Sequence, residues 1–113
     1  TSHNSKISIE IGPAKDTLLT LTNQDSQFEL IFIDADKAGY IAYLDFVISN
    51  GLLTKHGLIV IDNTLMQGEP YTRKNNGANG EAIEKFNQFV AADQRVEQVV
   101  LPIRDGITLI RIL

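Results

Sequence analysis

The sequence predicts an α/β fold: a Rossmann-like open, mostly parallel sheet with an antiparallel carboxyl-terminal hairpin. Three observations carry this. Two nearly continuous apolar runs, Phe28 to Ile33 and Leu58 to Ile61, each stop abruptly at an acidic residue, as strands covered on both faces of a parallel sheet do. Apolar residues at helical spacing follow each run. Near the carboxyl end, Asp105-Gly106 joins two further β-rich runs, a strong hairpin signal.

Taken in order, Ile7, Ile9 and Ile11 alternate with polar residues before Gly12-Pro13, the period of a half-buried strand meeting a breaker. Pro13 suits a first helical turn, and Leu18, Leu19 and Leu21 supply the stripe of a helix ending near Asn23. Phe28-Glu29-Leu30-Ile31-Phe32-Ile33 predicts a buried strand that stops at Asp34. From Gly39 onward, Tyr40, Ile41, Tyr43, Leu44, Val47 and Ile48 keep helical spacing until Asn50-Gly51 ends it. Leu58-Ile59-Val60-Ile61 predicts the next strand, which stops at Asp62-Asn63. Thr64 to Ala78 holds Gly68, Pro70, Asn75, Asn76 and Gly77 without a sustained period, so a long functional or disordered loop is expected there. Asn79, as a cap, opens a helix to about Ala92 with Ala82, Ile83, Phe86, Phe89 and Val90 on one face. Val96 to Leu101 and Ile107 to Leu113 close the chain, the hairpin giving the sheet an antiparallel edge.

All 113 residues fit a single domain: 43% are hydrophobic, enough for one core. The absence of cysteine excludes a disulfide scaffold, a zinc finger, an iron–sulfur site and a thiol nucleophile. Fourteen acidic against 10 basic residues give a net charge of −4, which argues against nucleic-acid partners and anionic membranes, and the one adjacent basic pair is Arg73-Lys74. No apolar run approaches the roughly 20 residues that span a bilayer, and Thr1 to Lys6 is too polar for a signal peptide, so a soluble cytoplasmic protein is expected. The first residue is Thr rather than Met, from which an upstream segment is also expected.

In an open parallel sheet, ligands bind outside the carboxyl ends of the strands. Asp34 ends one strand and Asp62 with Asn63 ends another, so on neighbouring strands their oxygens share one rim. Three hard oxygen donors without His or Cys select Mg²⁺, Ca²⁺ or Mn²⁺. Each residue alone also suits a cap or a turn. Asp36 either caps the following helix or accepts hydrogen bonds from a ligand. Lys37 stands at a helix start, where the dipole disfavours a cation; beside a divalent ion it suits a general base, and otherwise it is a solvated surface lysine. His3 and His56 fall in loop positions, and Phe86 with Phe89 reads as core.

Phe32-Ile33-Asp34-Ala35-Asp36-Lys37 followed by Tyr40, and Gly57-Leu58-Ile59-Val60-Ile61-Asp62-Asn63 followed by Gly68, resemble the cation-dependent O-methyltransferases of the caffeoyl-CoA and catechol type. The resemblance runs back to Gly12-Pro13-Ala14 and forward to Pro102 and Asp105-Gly106, nearly the whole chain. It implies a class I methyltransferase fold and methyl transfer from S-adenosylmethionine to a hydroxyl of a small phenolic diol. On that likeness Asp34, Asp62 and Asn63 hold the divalent cation, Mg²⁺ first among the candidates, and Lys37 takes the proton from the attacking hydroxyl. Ala14 and Asp36 match positions that touch the methyl donor; Asp34 and Gln67 match substrate contacts, with Gln67 standing where plant members carry asparagine.

The family's amino-terminal half, with the glycine-rich turn for the donor's amino-acid end and the acidic residue for its ribose, has no counterpart here, since Gly12 opens a Gly-Pro turn instead. In the family, the strands of that half lie between this chain's first strand and the one ending at Asp34. The expectation is therefore a partial class I methyltransferase domain, its carboxyl-terminal portion, inactive by itself. Its exposed sheet edges favour a homodimer. A haloacid-dehalogenase-type phosphohydrolase with Asp34 as nucleophile, a receiver-like module phosphorylated at Asp34, and an inactive remnant are the competing readings.

Overall fold

A computed structural model describes residues 4–72 and 77–113. Arg73, Lys74, Asn75, Asn76 and His3, singled out above, lie outside the described residues.

Helix α1 (Ala14–Asn23) starts behind Pro13, whose ring presets an extended entry, and carries Asp16 in its first turn where the helix dipole favours an anion. Strand β1 (Phe28–Ile33) follows, then a 3₁₀ turn at Lys37–Gly39 leading into α2 (Tyr40–Ser49) and β2 (Leu53–Asp62). An irregular 3₁₀ segment at Met66–Tyr71 precedes α3 (Ala78–Ala92), β3 (Val96–Leu101) and β4 (Ile107–Ile112). Strand β2 begins earlier than its apolar run because its pairing with β1 jumps from Phe28 opposite Leu53 to Leu30 opposite Leu58, which leaves 54–57 as a bulge.

The sheet order is β1-β2-β4-β3. β1 and β2 pair in parallel, and β4 is antiparallel to both β2 and β3, so three strands run one way and one runs against them. The antiparallel strand is interior and not the edge expected from the sequence. Strand β3, arriving from α3, lands one strand-width out, and the turn at 102–106 folds β4 back into the gap beside β2.

Helices α2 and α3 lie on one face. Ile33, Ile59, Ile61 and Ile110 meet Tyr40, Leu44 and Val47 of α2 and Ile83, Phe86 and Val90 of α3 in a single buried cluster. Burial of this kind contributes roughly 25 cal/mol per Å² of apolar surface and is the main stabilising term here. By strand alternation Leu30, Phe32 and Val99 point to the opposite face, where they are 61%, 59% and 58% exposed. The expectation that β1 is covered on both faces is not met within the described residues.

Two further expectations are corrected. Ile7, Ile9 and Ile11 form no strand; they are 67%, 79% and 96% exposed, and the segment has no regular structure. A strand needs a neighbour to receive its backbone donors and acceptors, and none of the four described strands pairs with this segment. Asn79 lies inside α3, and the extended residue capping that helix is Gly77, without a side-chain bond. Among the described residues no helix is long and apolar enough to cross a membrane.

Candidate functional site

Ile33 pairs with Ile61, so β1 and β2 end side by side and deliver Asp34 and Asp62 to one rim. From the 3₁₀ turn after β1, Lys37 folds back over that rim. Its Nζ donates to Asp34 Oδ1 (3.1 Å), the Ala35 carbonyl (3.2 Å), Tyr40 Oη (2.7 Å) and Asn63 Oδ1 (2.7 Å). The Lys37 side chain is 12% exposed and that of Asp34 50%, which leaves one oxygen-rich side of the cluster open to solvent. Tyr40 is fully buried, its ring edge-on to Phe86 at 5.4 Å between centroids, and its hydroxyl donates to the Asp62 carbonyl (3.0 Å). Through Tyr40 the core therefore holds the ammonium between the ends of two strands.

Burial alone would lower the pKa of Lys37, but the hydrogen bonds and charges of Tyr40 and Asp34 outweigh it and the value rises above that of an ordinary lysine. In this arrangement Lys37 holds its proton, the opposite of what the base role asks. The Tyr40 hydroxyl is raised as well, first by burial.

Asn63 sits at φ 60°, in the left-handed region that Asn tolerates better than most residues. Asp62 Oδ1 accepts from the Asn63 backbone N–H (2.6 Å), so this carboxylate steadies the turn beside the Lys37 cluster. The Asn63 amide bridges two groups: its oxygen takes the Lys37 proton donor, and its Nδ2 donates to Asp105 Oδ2 (2.9 Å). Asp105 Oδ1 in turn accepts from the Gln67 backbone N–H (2.6 Å). The hairpin turn and the loop also exchange backbone bonds, Leu65 N–H to the Asp105 carbonyl (2.8 Å) and Thr64 N–H to the Gly106 carbonyl (3.2 Å). Gly106, at φ 87°, permits this approach: a Cβ there would lie 2.5 Å from the Leu65 nitrogen.

Asp34, Lys37 and Asn63 are thus brought together, with Asp62 adjacent. Gln67 is exposed at φ 55°, its position set through its backbone. Among the described residues no three His, Cys, Asp or Glu side chains cluster as a metal site, so the oxygen set is two carboxylates and an amide. Ala14 lines an open cleft of about 330 Å³ with Gly12, Phe32, Asp34, Ala35 and Tyr43. Asp36 precedes the 3₁₀ turn without capping it through its side chain; its Oδ1 accepts from the Tyr43 hydroxyl (2.6 Å) beside that cleft and raises the Tyr43 pKa. Gly39 leaves room for this pair, since a Cβ would come within 2.5 Å of the Tyr43 ring. A larger cleft of about 630 Å³ lies near Leu53–Gly57 and Leu113, and none of the candidate residues lines it.

Sequence reasoning missed Tyr40, Tyr43 and Asp105. The tyrosines were absorbed into a helical stripe, and Asp105 into a turn signal. A clue was present: Tyr40 lies three residues after Lys37, one helical turn away on the same side.

The profile of the O-methyltransferase family matches residues 1–113. The chain belongs to the O-methyltransferase family. "Probable caffeoyl-CoA O-methyltransferase 1" of Dictyostelium discoideum is 42% identical over 108 residues, covering 93% of this chain and 46% of that protein. Caffeoyl-CoA O-methyltransferase 1 of Eucalyptus globulus is 38% identical over 114 residues, covering 94% and 46%. The crystal structure of SAH-bound Podospora anserina methyltransferase PaMTH1 superposes with a TM-score of 0.74 at 34% identity, over 90% of this chain and 47% of that one. The mixed α/β sheet is thus that of a methyltransferase fold, and the chain spans about half the length of the relatives it matches. Family membership removes the ground for the phosphohydrolase and receiver readings.

Proposed function

We propose that this chain supplies the metal-and-base part of an S-adenosylmethionine-dependent O-methyltransferase acting on a catechol-like or caffeoyl-type phenol, with a divalent cation assisting. The carrying observation is that Asp34 and Asn63, from the ends of two strands, aim side-chain oxygens at the same cationic nitrogen. The protein already stabilises positive charge at that point. Two carboxylates and an amide, all oxygen donors, fit Mg²⁺, Mn²⁺ or Ca²⁺. Asp34, Asp62 and Asn63 would hold the ion. When bound, it supplies Lewis acidity toward the two oxygens of a vicinal diol.

The chain's own residues do the rest. Asp34, the most open of the set, and Gln67, on the exposed loop, face solvent where a phenol would approach. Once its Asp34 and Asn63 bonds are given up and the ammonium has released one proton to solvent, the neutral Lys37 amine accepts the proton of the reacting hydroxyl. The phenolic oxygen then bonds to the donor's methyl carbon as the carbon–sulfur bond breaks, leaving a methyl ether and S-adenosylhomocysteine. Holding the oxygen in line is worth several kcal/mol in such a displacement. Ala14 and Asp36, the first in the cleft along β1 and the second bonded to Tyr43 there, would contact the donor. The exposed β1 edge and bare sheet face also support pairing of two chains as a homodimer.

Titration of Mn²⁺ into the 113-residue chain, followed by electron paramagnetic resonance, tests the cation half of this reading. One site per chain that is lost in Asp34→Asn is expected, and no binding by the wild type would sink it. Isothermal titration of S-adenosylmethionine tests the other half. Binding no tighter than tens of micromolar is expected from a part-built donor cleft; submicromolar affinity would overturn the view that half of the donor site lies elsewhere.

A further inference from the structure

We propose that Asp105, in the β3–β4 turn, is a positioning residue that fixes which end of the Asn63 amide faces Lys37 and Asp34 and holds the left-handed loop that carries Gln67.

The argument is one of donors and acceptors. Lys37 carries only donors, so the Asn63 atom it meets at 2.7 Å has to be the oxygen. The Asp105 carboxylate offers only acceptors, so the Asn63 atom it meets at 2.9 Å has to be the nitrogen. Both neighbours demand the same orientation. Removing the carboxylate removes one of the two and leaves the Lys37 contact alone to hold the amide oxygen at the rim, so the Asn63 side chain is less firmly oriented.

The second oxygen of Asp105 anchors the loop. Asn63, Met66, Gln67 and Gly68 all have positive φ, at 60°, 43°, 55° and 83°, and for the three that are not glycine this conformation is strained. Such a run persists only where its surroundings over-determine it. Here the surroundings include the Asp105 carboxylate on the Gln67 N–H and the two backbone bonds from Thr64 and Leu65 to the same turn, beside the Gly68 N–H to Leu65 carbonyl bond (2.8 Å) within the loop and the Asn87 Nδ2 to Thr64 carbonyl bond (2.8 Å) from α3. Turn formation needs none of this: an Asp-Gly hairpin turn forms without a side chain reaching 38 residues back along the chain.

The orientation of Asn63 stands on geometry alone, and its consequence for cation affinity rests on the reading of Asp34 and Asn63 as cation ligands. Nuclear magnetic resonance on the labelled 113-residue chain separates the two. In the wild type, a through-bond coupling from the Gln67 amide nitrogen to the Asp105 carboxyl carbon is expected, and its absence would overturn the proposal without any variant. In Asp105→Asn, which keeps the size but accepts only one of the two bonds, the Asn63 side-chain NH₂ and Gln67 amide resonances should move and exchange with solvent at least tenfold faster. In Asp93→Asn, at the other end of the sheet, neither should move. Mn²⁺ affinity should fall about tenfold in Asp105→Asn. Unmoved Asn63 and Gln67 resonances, or moved resonances with wild-type Mn²⁺ affinity, would overturn the positioning role. A wild-type chain that shows the coupling but binds no Mn²⁺ defeats the cation reading and leaves the orientation established.

Discussion

The two faces of the sheet are built from the same kinds of residue and end in opposite states. Ile33, Ile59, Ile61 and Ile110 lie buried under α2 and α3, while Leu30 and Phe32 of β1 and Val99 of β3, turned to the other face of the same sheet, face solvent. A run such as Leu30-Ile31-Phe32-Ile33 is the pattern of a strand covered twice, yet the described residues cover it once. Chemistry follows the same division. The Lys37 cluster is braced from the covered side, through Tyr40 and Phe86, and has every partner it needs. The cleft at Ala14 and Phe32 borders the free edge of β1 and is only part-walled. Completeness of a site tracks completeness of the layer behind it.

The largest effect that would break this contrast comes from truncating one residue on each face. Ile61→Ala, in the packed face, is expected to cost about 3 kcal/mol, the transfer and cavity terms together. Phe32→Ala removes a larger side chain but should cost only about 1 kcal/mol, because more than half of that residue stays in water in the folded chain. Urea unfolding of both variants gives the comparison directly. Equal losses would mean that the second face is covered in solution, by a second copy of the chain or otherwise.

Much of this division was legible in the residues, and where it was not the reason is physical. Both strands ending in Asp34 and Asp62-Asn63, and the three helices, follow from periodicity and breakers, which are local properties. Ile7, Ile9 and Ile11 have an impeccable strand period and form none, because pairing is a property of the neighbour and not of the segment. The interior place of β4 was hidden for the same reason, since hairpin signals fix who is adjacent to whom but not on which side. At the site, residue types at strand ends brought Asp34, Lys37 and Asn63 into view. Asp105 stayed hidden because its role depends on a turn 42 residues beyond Asn63 folding back onto the rim. Tyr40 looked like core and is core, with its hydroxyl serving the site at the same time.

That double role supplies the next prediction. Tyr40→Phe keeps the ring against Phe86 but deletes the acceptor of Lys37 and the donor to the Asp62 carbonyl. An expected loss of about 1–2 kcal/mol in urea unfolding reflects a part-buried carbonyl left without its partner. The Lys37 ammonium should also become more mobile, visible as faster exchange of its Nζ protons by nuclear magnetic resonance. Unchanged stability together with unchanged exchange would mean that the rim is held by the loop alone, and that the covered side does not brace it.

The smallest effect concerns what fastens that cover. Arg95 donates to Asp93 (2.7 Å), Asp45 (2.8 Å) and Ser49 (3.2 Å), and so ties the end of α2 to the link between α3 and β3. The bond from Arg95 lowers the Asp93 pKa below that of an ordinary aspartate. A carboxylate depressed in the folded state contributes stability that is fully present above its unfolded pKa, about 3.9, and is lost as pH falls through the lower folded value. The Arg95 side chain is 40% exposed, so solvent screens much of the interaction. Between pH 7 and 5 the melting temperature should therefore be insensitive to this group. Below about pH 4 it should fall, and Asp93→Asn should flatten that fall by no more than about 2 °C. A drop of ten degrees or more that Asp93→Asn abolishes would place the hold on α2 and α3 in ion pairing. The covered face would then owe its state to charge and not to packing, and the contrast with Ile61→Ala would lose its basis.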